Sequence, residues 1–169
     1  MSKPCNAATY RLATLKLALE HAPKVIVEVG VYAGALSAML ATVPSLEKQF
    51  IVDSWEGGYS NFDQKHMDGI AETVLDWAKT QPKLAVHRMR SIEGSKLFAD
   101  ESIDFFHTDG DHSLEGITGD IAAWLPKVKH GGILSGDNYE IPAVAKGVKK
   151  LLPSHQLLAN GRLWWIQKP

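Results

Sequence analysis

The chain has 169 residues, of which 45% are hydrophobic, with 18 basic and 19 acidic side chains. That is one domain's worth of core, and the balanced charge gives no electrostatic case for nucleic acid or an anionic membrane as the main partner. The single cysteine, Cys5, has no partner for an internal disulfide and stands far from every acidic cluster, so it reads as incidental.

In chain order, the N-terminal segment 1–22 reads as a helix from about Thr9 to His21. Short apolar runs then alternate with amphipathic stretches. "KVIVEV", "QFIVD", "KLAVHR", "SIDFFHT" and "HGGILSGD" are rich in β-branched or aromatic residues and bounded by turn formers, which predicts strands. Between them, "GALSAMLATV", "HMDGIAETVLDWAK", a short piece near "SIEGSKLFA", and "SLEGITGDIAAWLPKV" carry helical spacing. The last part, "SHQLLANGRLWWIQKP", places Asn160-Gly161 between two apolar runs, the strongest short hairpin signal. The expectation is a single α/β domain over 1–169: a Rossmann-like, doubly wound seven-stranded sheet, mostly parallel, with a C-terminal antiparallel hairpin. No apolar run approaches the roughly 20 residues that span a bilayer, and the first dozen residues lack the apolar core of a secretion signal. Cytoplasm is therefore the expected compartment.

The first predicted strand runs into "VEVGVYAGALSAML", with Glu28, Gly30 and Gly34 at the strand-to-helix junction. Glycine lets backbone approach a ligand, and the new helix points its free amides at it. Asp53 ends the next strand, placed to accept ribose hydroxyls. A dinucleotide fingerprint needs G-x-G-x-x-G, whereas the spacing here is E-x-G-x-x-x-G. That spacing, the acid ending strand two and the terminal hairpin resemble the class I S-adenosylmethionine-dependent methyltransferases from about Val25 to Gln167. The resemblance implies that Glu28, Gly30, Tyr32 and Gly34 line the methionine end of the cofactor, that Asp53 holds the ribose, and that Ser91, after strand three, contacts adenine. Ser91 reads equally as a helix N-cap, and Trp55 either covers the adenine or packs.

The stretch "FFHTDGDHSLEG" places Asp109 to Ser113 at the C-terminal end of strand four, where open α/β sheets bind ligands. Strand five ends in "ILSGDNY", bringing Asp137 and Asn138 to the same edge. Two carboxylates and an amide oxygen suit a hard cation, magnesium or calcium, better than zinc. A histidine is partly neutral at cellular pH and able to take a proton from a hydroxyl, which makes His112 the candidate base. The constellation resembles metal-dependent O-methyltransferases. Asp109, Asp137 and Asn138 match the metal ligands of the catechol and caffeoyl-coenzyme A enzymes, and the D-G-D-H form is similar to the macrocin-type group. The resemblance also places Asp109 beside the cofactor. His107, inside the strand, is expected to face a helix and be satisfied there; Asp111 reads as a solvated loop acid, with a fourth oxygen donor through water as the alternative.

The resulting expectation is methyl transfer to a hydroxyl of a small molecule (sugar, glycoside or phenol), assisted by a divalent cation. Residues 54–66, with Tyr59, Phe62 and His66 among glycines, read either as a lid or as a surface loop. The short N-terminal part favours an open acceptor site or one completed by a second copy in a homodimer. A metal-independent N- or C-methyltransferase and a non-catalytic S-adenosylmethionine-binding protein are the alternatives. A nicotinamide oxidoreductase would share the sheet but lacks its glycine fingerprint here.

Overall fold

β1 (Val25–Val29) is buried over nearly its whole length because it pairs in parallel on both sides, with β2 (Lys48–Asp53) and β4 (Ile103–Thr108). A strand covered on both faces needs a continuous apolar run, which "VIVEV" supplies apart from Glu28. β3 (Leu84–Arg88) extends the sheet beyond β2, and β5 (Val128–Gly136) extends it beyond β4, both in parallel. β7 (Leu163–Gln167) then pairs antiparallel with β5, and β6 (Gln156–Leu158) closes the edge against β7. The order is β3-β2-β1-β4-β5-β7-β6, in a computed structural model that describes residues 7–58 and 62–169. Cys5 and Tyr59 lie outside the described residues.

Alternating side chains on the strands build two cores. Ile26, Phe105 and Ile133 point to one face and pack with Leu17 and Ala18 of α1 (Ala7–His21) and Leu36 and Leu40 of α2 (Ala35–Leu40). On that face Ile51 also meets Met67, Ala71 and Val74 of α3 (Gln64–Ala78). Val27, Phe106 and Leu134 point to the other face. There they meet Ile117, Ile121 and Trp124 of α5 (Leu114–Trp124), together with Val144 and Val148 of α6 (Pro142–Leu151). The short α4 (Ser91–Ser95) follows β3. Among the described residues no helix is long and apolar enough to cross a membrane.

The hairpin turn is a short 3-10 segment, Ala159–Gly161, in which Asn160 and Gly161 both take left-handed angles (φ 56° and 85°). That is the conformation an Asn-Gly pair accepts at least cost. α6 is the element that the periodicity reading does not contain, although Pro142 at its first turn is a helix-start signal.

Two local expectations change. Ser91 is the first residue of α4 and the capping position is Arg90, so the N-cap reading of Ser91 does not hold. His107 finds its partner on a neighbouring strand: Nδ1 lies 3.0 Å from Ser135 Oγ of β5, and Nε2 is buried without one. Burial holds its imidazole neutral, with a pKa pushed down to about 4.

Candidate functional site

The C-terminal ends of β1, β2, β4 and β5 share one edge, and the predicted residues gather there. Gly30 takes φ 79° and its amide donates to the Val52 carbonyl. A Cβ at Gly30 would stand 2.2 Å from the Asp109 carbonyl oxygen and 2.6 Å from the Gly110 nitrogen, so the β1 turn and the D-G-D-H loop are in direct backbone contact. Gly34 precedes α2 at φ 75°. Between them Tyr32, also left-handed, donates its amide to Asp53 Oδ2 at 2.9 Å, while Trp55 donates its amide to Oδ1 at 2.7 Å. Each Asp53 oxygen thus takes one backbone hydrogen and keeps capacity for another. Trp55 is fully buried and its indole donates to the Tyr32 carbonyl, so it packs under the turn.

Glu28 lies beneath this turn. Its carboxyl is 2% exposed and accepts from Ser37 Oγ of α2 at 2.6 Å. Burial pushes its pKa up to about 8, with Asp109 and Asp53 adding to the rise against the Ser37 hydrogen bond. Ser91, the candidate adenine contact, has its hydroxyl committed: it donates to Asp120 Oδ1 at 2.5 Å and accepts from the Trp124 indole at 2.9 Å. Asp120 also takes the Thr108 hydroxyl at 2.7 Å, a buried network that ties α4 and α5 to the end of β4. Near the residues 54–66 stretch, Phe62 stacks between Tyr32 (6.1 Å) and His66 (4.3 Å); His66 itself belongs to the first turn of α3.

Asp109 and His112 form a pair. His112 Nε2 lies 3.1 Å from Asp109 Oδ1, and this contact raises the imidazole pKa against the effect of burial. Asp109 Oδ2 accepts from the Tyr10 hydroxyl of α1 at 3.2 Å. Asp111 accepts from the Ser113 amide, and Ser113 caps α5 through Gly116, so the loop is held as a turn at the mouth of the helix.

Asp137 and Asn138 stand next to this pair. The amide orientation that satisfies its neighbours points the Asn138 nitrogen at Asp109 Oδ1 (2.9 Å) and Asp137 Oδ2 (3.1 Å) and its oxygen at Arg162 Nη2 (3.2 Å). Arg162 also grips Asp137 at both oxygens: Nε donates to Oδ1 at 2.8 Å and Nη2 to Oδ2 at 2.7 Å. The three candidate metal ligands are therefore brought together but already satisfied by one another and by a guanidinium. As arranged they do not fit a divalent cation, which wants several oxygens with free lone pairs facing one point. Among the described residues no three His, Cys, Asp or Glu side chains form a ligand group either. A nucleoside ligand fits the cofactor edge at Asp53, whose two oxygens each keep an acceptor lone pair after taking the Tyr32 and Trp55 amides.

Three residues at this edge are missing from the sequence reading: Tyr10, Arg162 and Asp120. Tyr10 comes from the N-terminal helix, and Arg162 reaches Asp137 only through the register of β7 on β5, which no local pattern announces. Asp120 had a signal, as a lone acid on the apolar face of a predicted helix.

A family model described as a methyltransferase domain matches residues 27–139. No curated protein matches the sequence. Among solved structures, the O-methyltransferase TomG from Streptomyces achromogenes, in complex with SAM, superposes with a TM-score of 0.68 at 15% identity, over 97% of this chain and 82% of that one. An O-methyltransferase from Bacillus cereus in complex with SAH gives 0.66 at 14% identity, over 96% and 82%. Spermidine synthase from Thermotoga maritima gives 0.69 at 13% identity, over 100% and 62%, so at this level the likeness is one of fold. With its seven-stranded sheet in place and two thirds of its length matched, the chain belongs to the methyltransferase-domain family.

Proposed function

We propose that this chain binds S-adenosylmethionine at the Gly30 turn and transfers the methyl group to a hydroxyl of a small acceptor, a sugar, glycoside or phenol, with His112 as base. The observation that carries this reading is the contact between the two motifs. The turn that would hold the cofactor and the loop that holds the Asp109–His112 pair touch backbone to backbone at Gly30. Family membership and the SAM- and SAH-bound O-methyltransferases of the same fold support it.

The bound cofactor supplies an electrophilic methyl group. The chain's own residues do the rest. Asp53 accepts from ribose hydroxyls through lone pairs its two amide bonds leave free. In the tautomer that carries its hydrogen on Nε2, His112 donates to Asp109, which orients the ring and leaves Nδ1 to take the proton from the acceptor hydroxyl. His112 is 41% exposed, so an acceptor can reach it. Tyr10 fixes the other oxygen of Asp109, holding the pair from the side of α1. The Asp137 carboxylate is taken up by Arg162 and is not free to hold a divalent cation.

Labelled S-adenosylmethionine offered with a panel of hydroxylated sugars, glycosides and phenols in chelator tests the reading. The expected result is an O-methyl ether from one acceptor class. Methylation confined to nitrogen or carbon acceptors would overturn the choice of oxygen.

A further inference from the structure

Arg162 stands between the Asn160-Gly161 turn and β7, and the antiparallel register that sets Trp164 against Gly136 returns it to the end of β5. Besides its two-point grip on Asp137, Nη1 lies 3.3 Å from Glu140 Oε1 and the guanidinium carbon sits 4.8 Å from the centre of the Tyr10 ring. The Asp137 side chain is 0% exposed, so its charge has lost water and is met by the guanidinium instead. Planar two-point pairing of this kind is what Arg does and a hydrated metal ion does not. A divalent cation on Asp137 would have to displace Arg162 and then share the site with its positive charge, a repulsion that the low local dielectric magnifies.

We propose that Arg162 is a built-in cation standing where a divalent metal would otherwise sit on Asp137 and Asn138, so that the chain binds no divalent metal at this edge and works without one. The part about working without metal rests on the methyl-transfer reading; the part about binding does not. In this arrangement Asn138 is a bridge. Its nitrogen serves the two acids and its oxygen serves Arg162, which links the charge pair to the Asp109–His112 pair. Arg162 thus acts as a positioning residue, holding Asp137 and Asn138 against Asp109.

The test is direct titration with Mn2+, followed by paramagnetic resonance of the free ion, on the purified full chain without cofactor or acceptor. The wild type is expected to show no saturable binding tighter than the roughly millimolar range of weak oxygen-ligand sites. Arg162→Gln is expected to gain one site at least about tenfold tighter, and the added change Asp137→Asn is expected to remove it. Binding of one Mn2+ by the wild type in the micromolar range, lost in Asp137→Asn, would overturn the proposal. So would a folded Arg162→Gln that gains no site, because the acids and not Arg162 would then be refusing the metal. Should Arg162→Gln not fold, the wild-type titration still decides. Failure of S-adenosylhomocysteine to bind would overturn the methyl-transfer reading and leave the Mn2+ result standing.

Discussion

At the scale of single residues the site depends on what is missing at Gly30. Its left-handed backbone and the 2.2 Å approach of the Asp109 carbonyl leave no place for a methyl group. Gly30→Ala should cost roughly 2–5 kcal/mol, the sum of left-handed strain and a clash with backbone that cannot swing away. Gly161→Ala, equally left-handed but with nothing within 4 Å, should cost only about 1–2 kcal/mol. Urea unfolding of the two variants side by side reads the difference; equal losses would show that the contact with Asp109 is not tight. His112 belongs to the same scale. His112→Ala is expected to lower kcat about 10²- to 10⁴-fold, the usual worth of a general base, while titration with S-adenosylhomocysteine gives an unchanged affinity. Unchanged turnover would remove His112 from the chemistry.

The elements show how the loop between β4 and α5 is held. Ser113 accepts from the Gly116 amide and starts α5, and Asp120 on that helix reaches back to Thr108 at the end of β4. Ser113→Ala should cost about 1 kcal/mol as a lost N-cap, lowering the melting temperature by a few degrees; no change in thermal unfolding would mean that Asp111 alone fixes the turn. All seven strands were legible because each is an apolar run bounded by turn formers, and the Asn-Gly pair told where the sheet reverses. The edge that carries the candidate site was legible in its placement, since Gly30, Asp53, Asp109 and Asp137 each stand at the end of a strand read from the sequence. α6 was missed although its signal is there: Pro142 opens it and Val144 and Val148 recur at i, i+4 on its buried face. The pairing of Asp137 with Arg162 was out of reach. It depends on how β7 is registered on β5, which sets the residue just before β7 beside the residue just after β5, and register is a property of two distant strands rather than of either sequence. For the same reason the Asp-Asn pair read as a cation site, since the residue that satisfies it lies some 25 positions away.

For the molecule as a whole, two buried groups on the site's face of the sheet shape stability in opposite directions. Glu28 keeps its proton in the folded chain up to about pH 8, whereas the unfolded chain releases it near 4.5. Between these values the unfolded state binds fewer protons, so stability falls as pH rises, by about 5 kcal/mol in full. His107 stays neutral in the fold down to about pH 4, whereas the unfolded chain takes up a proton near 6.5, so stability falls as pH drops through that window, by about 3 kcal/mol. Their opposite slopes cancel between about pH 4.5 and 6.5, so the joint contribution of these two groups is flat there and falls on the alkaline side. Glu28→Gln, which keeps the shape of the protonated acid, should flatten the alkaline side of a plot of melting temperature against pH; an unaltered slope would show that Glu28 ionises freely in the fold. On the proposed function, the whole fold serves to hold S-adenosylmethionine at the Gly30 turn. Isothermal titration of the purified chain with S-adenosylhomocysteine in chelator tests it most directly. Saturable one-site binding, weakened in Asp53→Ala, is the predicted result; a titration without saturable heat for the folded wild type would contradict the account.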